Sequence, residues 1–329
     1  MAFPVASGAT TPAIYPAGSS GNNLSGTGFI PEIWSGKLVE KFYASTVLGA
    51  ISNTDYEGEI RNQGDKVKIR TKPTITINDY KADGVLALQR PTGNVIELAI
   101  DQGKYFSTIL DDVMDVQSDL NMLSMWSDDA AEQMKIKIDT AVLLGILGQA
   151  NSANRGATAG AITGALNLGV TSSGPLALVA NTPGNGEVEI LDAILRLGQA
   201  LDEQNIPETG RWIVMPTWAG NLVKRSELRQ AYLSGDGVSI LRNGRLGMVD
   251  RFTLYTSNLM PSGTAAGLSA GEYVIYAGHA HGLTFASQMT KMETLRSEMT
   301  FGQILRGLQV YGYKVVDGTA LAQAIVTKA

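Results

Sequence analysis

Two patterns of apolar and polar positions organise this chain. The first lies in residues 65–101. Its outgoing arm reads Lys66-Val67-Lys68-Ile69-Arg70-Thr71-Lys72-Pro73-Thr74-Ile75-Thr76-Ile77. Successive strand side chains point to opposite faces. Val67, Ile69, Ile75 and Ile77 therefore share one face, and Lys66, Lys68, Arg70 and Lys72 share the other. The returning arm, 95–101, puts Ile96, Leu98 and Ile100 on one face and Glu97 and Asp101 on the other. The pattern predicts two long facing strands joined by a wide tip within 78–93, a stretch that holds Gly84, Pro91 and Gly93. A lone two-stranded hairpin is marginal in water. This one needs another surface to lie on, and that surface can belong to another subunit.

The second pattern follows directly. Leu120, Leu123, Trp126, Ala130, Met134, Ile138, Ala141 and Leu144 recur every three or four residues, the spacing of one helix face. Ser118 and Asp119 suit a helix start, and Gly148 suits a stop. The spacing predicts an unbroken helix over 118–148, about 45 Å long at 1.5 Å per residue. That length suits a strut. Met122, Met125 and Met134 fall on or beside the stripe and read as packing residues.

Shorter patterns fill the rest. Ile30-Pro31-Glu32 opens a helical pattern carrying Trp34, Leu38 and Phe42. Residues 105–110 read as a strand. Residues 151–186 are polar and glycine-rich and read as a boundary or surface loop. Residues 187–205 form an amphipathic helix with Ile190, Leu191, Ile194, Leu197 and Leu201 inward. Strands are predicted at 211–215, 252–256, 273–277, 307–316 and 320–326, with a helix at 217–224 after Pro216. Helices and strands interleave without a regular βαβ repeat, which points to an α+β fold.

Composition narrows the function. At 329 residues the chain has room for two domains. Charged residues make up only 17%, with 37 glycines, which fits a surface covered largely by partners rather than water. A net charge of −5 argues against sequence-independent nucleic-acid binding, which wants a basic face. The absence of cysteine removes disulfides, thiolate nucleophiles and cysteine-based zinc sites. Residues 1–28 are uncharged and rich in Gly, Ser, Thr, Ala and Asn. They read as an extended arm or a tail, and not as a secretory signal. No apolar run approaches the roughly twenty residues that cross a bilayer.

Catalytic motifs are weak. Gly267-Leu268-Ser269-Ala270-Gly271 matches a nucleophile-elbow string, but a loop precedes it and a strand follows. Both histidines also precede Asp317, so no convincing acid-then-histidine order follows the serine. His279 and His281 would share a strand face, but nothing nearby supplies a third metal ligand. No phosphate loop or dinucleotide fingerprint is present. The reading is a non-enzyme with no cofactor and no metal.

Several segments in fixed order carry a resemblance. They are Ile30-Pro31-Glu32-Ile33-Trp34, then Asp55-Tyr56-Glu57-Gly58-Glu59-Ile60, Gly64-Asp65-Lys66-Val67 and Asn78-Asp79-Tyr80. Downstream come Arg211-Trp212-Ile213-Val214-Met215-Pro216, Gly278-His279-Ala280-His281 with Leu283-Thr284-Phe285-Ala286, and Val310-Tyr311-Gly312-Tyr313-Lys314-Val315-Val316. Over roughly residues 30–329 the chain resembles the major capsid proteins of tailed bacteriophages, of the Hong Kong 97-like fold.

The resemblance implies an N-terminal arm (1–29), a linking helix region (30–56) and an extended loop with its base (57–103). It implies a peripheral domain built on the spine helix (104–186), an axial domain (187–305) and C-terminal strands returning to the peripheral domain (306–329). It also implies a virion shell built from pentamers and hexamers and enclosing double-stranded DNA without sequence-specific binding. A separate scaffolding protein, a portal and a decoration protein are the further partners, with no membrane. The alternative is a bacterial nanocompartment shell of the encapsulin kind.

In such a shell the extended loop lies over a neighbour. The apolar face of the hairpin, with Ile75 and Ile77, would cover apolar surface there. Lys66, Lys68, Arg70 and Lys72 would meet Asp128, Asp129 and Glu132 on the neighbour's spine helix. The competing reading leaves these bases solvated, or paired with Glu97 and Asp101 across the hairpin. Some relatives join subunits by a Lys–Asn isopeptide bond, for which Lys81 near the tip is the one suitable lysine; the sequence identifies no asparagine partner.

Overall fold

The structure is a computed structural model. It describes residues 43–44, 46–55, 66–73, 75–80, 82, 88–117, 121–226 and 247–329. The expectations for residues 1–42, for the helix opened by Ile30 and for Lys81 lie outside these residues.

The larger of two main sheets has seven strands. In chain order they are β4 (Leu176–Val179), β5 (Glu187–Glu189), β6 (Arg211–Met215), β7 (Met248–Val249), β8 (Phe252–Thr256), β9 (Glu272–His279) and β12 (Leu321–Lys328). Their spatial order is β5-β4-β12-β9-β6-β8-β7, with β4–β5, β4–β12 and β6–β8 parallel and the other pairs antiparallel.

Helices α4 (Ile190–Glu203) and α5 (Thr217–Arg225) cover one face of this sheet. Ile190, Ile194, Leu197 and Leu201 of α4 meet Ile213 and Met215 of β6 and Ile275 and Ala277 of β9. The opposite face carries Trp212, Val214, Val274 and Tyr276. It is covered by the short helix α1 (Leu48–Ile51) and by the end of the long helix α3 (Met122–Gly145). Strand β6 is thus buried at every position, which explains its unbroken apolar run after Arg211. The Tyr276 hydroxyl donates to the Leu143 carbonyl at 2.9 Å and ties this sheet to α3.

The second sheet has three antiparallel strands in the order β10-β11-β3: β3 (Gln102–Asp111), β10 (Leu283–Arg296) and β11 (Gly302–Val315). The short helix α2 (Asp112–Gln117) leaves the end of β3. Leu110 and Leu305 point to the buried side of this sheet. A third, two-stranded sheet pairs β1 (Lys66–Arg70) with β2 (Val95–Ala99). Its Ile69, Leu98 and Ile100 pack with Ala286 of β10, and half-buried Val67, Ile96 and Val310 complete that cluster.

Five expectations need correction. The outgoing hairpin strand stops at Arg70 rather than running to Ile77. Its last ladder bond runs from Thr71 N–H to the Asn94 carbonyl (2.9 Å), and Pro73 then lacks an N–H to continue the ladder.

The long helix begins at Met122, capped by the Asn121 side chain accepting from Ser124 N–H at 3.2 Å, and not at Ser118. At 24 residues it spans about 36 Å. Its buried positions are Ile138, Asp139, Val142 and Leu143, while Leu144, expected inward, is exposed. The stripe is displaced because only the last turns of α3 meet the large sheet.

Residues 151–186 are not a boundary loop. Ala159, Leu168, Leu176 and Leu178 enter the core of the seven-stranded sheet, with β4 as one of its strands. Strand β12 lies between β4 and β9 in that same sheet, so only β11 of the two closing strands joins the three-stranded one. Finally, β10 is a fourteen-residue strand where the sequence pattern predicted none.

One buried acid holds the start of the described chain. Asp139 is 1% exposed, and its Oδ2 accepts the Val47 N–H at 2.8 Å. Burial pushes its carboxyl above the ordinary range, partly offset by the Val47 and Leu48 N–H groups. The carboxylate thus serves α1 as a cap supplied from a distant helix.

Candidate assembly surface

The extended loop is covered by its own chain at the base and open further out. Ile69 and Leu98 are buried, but Ile75 and Ile77 are 61% and 87% exposed, and Tyr80 and Leu88 are exposed as well. The two arms still face each other beyond the ladder. Lys66 lies opposite Ala99, Thr71 bonds to Asn94, and Thr76 faces Gln89, with five-residue steps along both arms. At Thr76 the contact is made by a side chain. Gln89 Oε1 accepts the Thr76 N–H (3.0 Å), and its Nε2 donates to the Thr76 carbonyl (2.7 Å). The outer part of the loop is therefore a strap, held in register by one glutamine amide and exposing its isoleucines.

The charged face is partly used within the chain. Lys66 and Lys68 approach Glu97 at 4.0 and 3.8 Å. Arg70 and Lys72 are exposed and have no ion pair among the described residues. Asp101 accepts from the Gln102 side chain at 3.1 Å rather than from a lysine. On α3, Asp129 accepts from the Tyr43 hydroxyl (2.8 Å), Glu132 accepts from Lys135 (2.6 Å), and Asp128 is exposed. Two of the three acids expected to receive the basic face thus already have partners in their own chain.

Sequence reasoning missed a second surface. Directly paired residues of adjacent strands share a face. By the observed register, Tyr105 with Leu308 and Lys291, Ser107 with Arg306 and Glu293, and Ile109 with Ile304 and Leu295 form one open side of the three-stranded sheet. Tyr105 is 80% and Ile109 50% exposed there. Glu293 binds Lys291 and Arg306, and these contacts hold its carboxyl below the usual range. At the β10–β11 turn, Met299 and Phe301 are almost fully exposed, beside Val113 and Val116 of α2. The Phe301 carbonyl accepts the Asp112 N–H at 3.1 Å, so these apolar side chains project from one end of the sheet. The available signal was the alternation Met292-Glu293-Thr294-Leu295 followed by a turn closing at Gly302.

The chemical candidates resolve into structural roles. Gly267 and Gly271 have positive φ and bracket a turn. Within it the Ser269 N–H donates to Glu272 (2.8 Å), and its Oγ lies 2.9 Å from Ser172 Oγ. Glu272 also accepts from Thr171 and from Ser172 N–H, so one carboxylate ties two loops together. His279 ends β9, and its Nδ1 accepts the His281 N–H at 3.1 Å, so the two rings do not share a strand face. Among the described residues no group of three His, Asp or Glu side chains is placed to hold a metal. No helix among them is long and apolar enough to cross a membrane.

A similar carboxylate fixes the 160–164 turn. Glu203 accepts from Ile162 N–H (2.7 Å), Thr163 N–H (3.1 Å) and the Thr163 hydroxyl (2.9 Å). These bonds lower its pKa from 4.5 to about 2. A depressed carboxylate stabilises the fold above its unfolded value, and that contribution disappears as pH falls from 4.5 through about 2. Glu203→Gln is expected to leave the protein folded at neutral pH and to speed hydrogen exchange at the Ile162 and Thr163 amides. Unchanged exchange at both would refute the latch.

The family model described as phage capsid protein matches residues 96–324. The chain belongs to that family. Solved structures of similar fold include phage capsids. A structure from Mycobacterium phage Che8 aligns at TM-score 0.71 and 24% identity, covering 91% of this chain and 98% of its own. The capsid of Cyanophage P-SCSP1u gives TM-score 0.71 at 14% identity, over 94% and 97% of the two chains. That of Ralstonia phage GP4 gives 0.60 at 12% identity, over 94% and 99%. No curated protein matches in sequence. The Hong Kong 97-like α+β fold is therefore the fold of this capsid protein, and the nanocompartment alternative is not favoured. Its role is structural, as a component of a phage shell.

Proposed function

We propose that this capsid protein is the major shell subunit of an icosahedral phage head. Its copies gather as pentamers and hexamers in the host cytoplasm around packaged double-stranded DNA. A separate scaffolding protein, a portal and a decoration protein complete the assembly. The observation that carries the reading is the strap, which leaves Ile75 and Ile77 mostly exposed and outside the apolar clusters of the described residues. Fully burying an isoleucine contributes about 1.5–3 kcal/mol relative to leaving it exposed. An exposed ion pair contributes about 0–1 kcal/mol. Adhesion of the strap is therefore mainly apolar, with the lysines setting orientation.

In this reading the loop with β1 and β2 is the extended loop. The three-stranded sheet with α3 is the peripheral domain, and the seven-stranded sheet with α4 and α5 is the axial domain. Weak contacts suffice because many must break together when a shell opens. Electron micrographs of the protein expressed alone, and with its neighbouring reading frames, test the proposal. Closed shells that hold DNA when the packaging genes are present are expected. A stable monomer under all conditions, or shells filled with a protein enzyme and no DNA, would overturn it.

A further inference from the structure

The turn between β4 and the edge strand β5 carries chemistry that a shell subunit does not use. Gly184, Asn185 and Gly186 are exposed there. The turn is closed by the residues that flank its tip. The Glu187 N–H donates to the Gly184 carbonyl at 3.2 Å, and the Gly184 N–H donates to the Glu187 carboxylate at 2.7 Å. Asn185 and Gly186 form the tip, with Gly186 at φ 83°. Glycine adopts that left-handed conformation at little cost. The Gly186 N–H and the Asn185 side-chain amide have no hydrogen-bond partner among the described residues. A Cβ added at Gly186 would meet nothing within 4 Å, so no described group packs against the tip.

We propose that Asn185 is a site of spontaneous deamidation, driven by the Gly186 main-chain nitrogen and completed by water. The nitrogen attacks Cγ of Asn185. An N–Cγ bond forms and the Cγ–Nδ2 bond breaks. The Gly186 amide proton leaves with the side-chain nitrogen as ammonia, and a cyclic imide remains. Water then adds to one of the imide carbonyls. Opening at the side-chain carbonyl gives aspartate. Opening at the main-chain carbonyl gives isoaspartate, in which the backbone runs through Cγ. No electrons are exchanged, and water is the only other reactant. The proposal goes beyond the shell reading and does not rest on it.

Two conditions single out Asn185. Ring closure needs a nitrogen that the following side chain does not shield, and among the described residues only Asn185 precedes a glycine. It also needs an amide that is free to turn. The side chains of Asn53, Asn121 and Asn151 accept from the Asp55, Ser124 and Ala153 N–H groups, which holds each in place. Asn154 is buried and donates to the Thr319 and Leu321 carbonyls. An exposed turn at a sheet edge opens locally at low cost, which gives the Gly186 nitrogen access to Cγ. Both products place a new carboxylate near Glu187 and Glu189. Isoaspartate also adds one carbon to the main chain entering β5, just before α4.

Incubation of the folded full chain near neutral pH, followed by digestion and fragment mass spectrometry, tests the site. The other Asn-Gly pair, Asn243-Gly244, lies outside the described residues, and Asn243→Gln in every sample removes its signal. Asn185 is expected to gain the mass difference between an amide and an acid, faster as pH rises, with isoaspartate among the products. Asn185→Gln, which would have to close a larger ring, is expected to lose that gain. No gain at Asn185 overturns the proposal. So does aspartate without isoaspartate, which would bypass the cyclic imide. An equal gain at Asn167 or Asn181 of the same stretch would likewise sink it, because neither precedes a glycine.

Discussion

Ile75→Asp combined with Ile77→Asp should reduce the yield of sedimenting shells by at least tenfold, while Lys68→Ala leaves it near normal. Both isoleucines are mostly exposed in the single chain, so the unassembled subunit should melt at its usual temperature. The loss appears only on assembly. Two isoleucines withdrawn from a contact cost about 3 kcal/mol or more per strap, and 1.4 kcal/mol is already a factor of ten. Placing carboxylates there adds the cost of burying charge. Lys68 instead gives up an exposed contact with Glu97 at 3.8 Å, an interaction of roughly 0–1 kcal/mol. Sedimentation of the two variants side by side measures the difference. Equal yields would show that the strap does not adhere through its apolar face.

Gly312→Ala should destabilise the subunit itself. A Cβ built at Gly312 would lie 2.2 Å from the Ala99 carbonyl oxygen and 3.0 Å from the Ile100 Cα. Both obstacles are backbone, so no rotamer change relieves the clash. The end of β2 crosses β11 here, and the added methyl forces the hairpin base off the second sheet. Overpacking of this kind costs about 1–3 kcal/mol, or several degrees in melting temperature for a chain of this size. Gly103→Ala is the matched control, since nothing lies within 4 Å of its added Cβ. Thermal melting of the two unassembled variants decides it. A Gly312→Ala subunit as stable as the control would mean that hairpin and sheet are not in firm contact.

How far each element was legible follows from how local its cause is. Residues 211–215 and 252–256 came out with their observed bounds, because a strand buried on both faces, or one bounded by turns, carries its signal in its own residues. The inward face of α4 was equally readable, since one sheet covers one helix face. The α3 stripe was misplaced because its start and its end meet different surfaces, and periodicity alone assumes one. Strand β10 was missed because its polar and apolar positions serve a sheet with one open face and one partly covered face. Residues 151–186 looked like a loop because their few apolar side chains are far apart in sequence and meet only in the folded core.

The same division separates the strap from the surfaces around it. Alternation alone placed Ile75 and Ile77 on one face and the lysines on the other, and the shortage of charge suggested a protein covered by partners. Those are properties of neighbouring residues, and a sequence displays them directly. Tertiary structure alone decided that the hairpin base is covered by β10 and β11 while the strap is not. It likewise decided that Asp129 and Glu132 are engaged within their own chain and that β3 is a sheet edge. Each of these depends on segments far apart in sequence, about two hundred residues for β3 and β11, being brought within a few ångströms, and no local pattern records such a meeting.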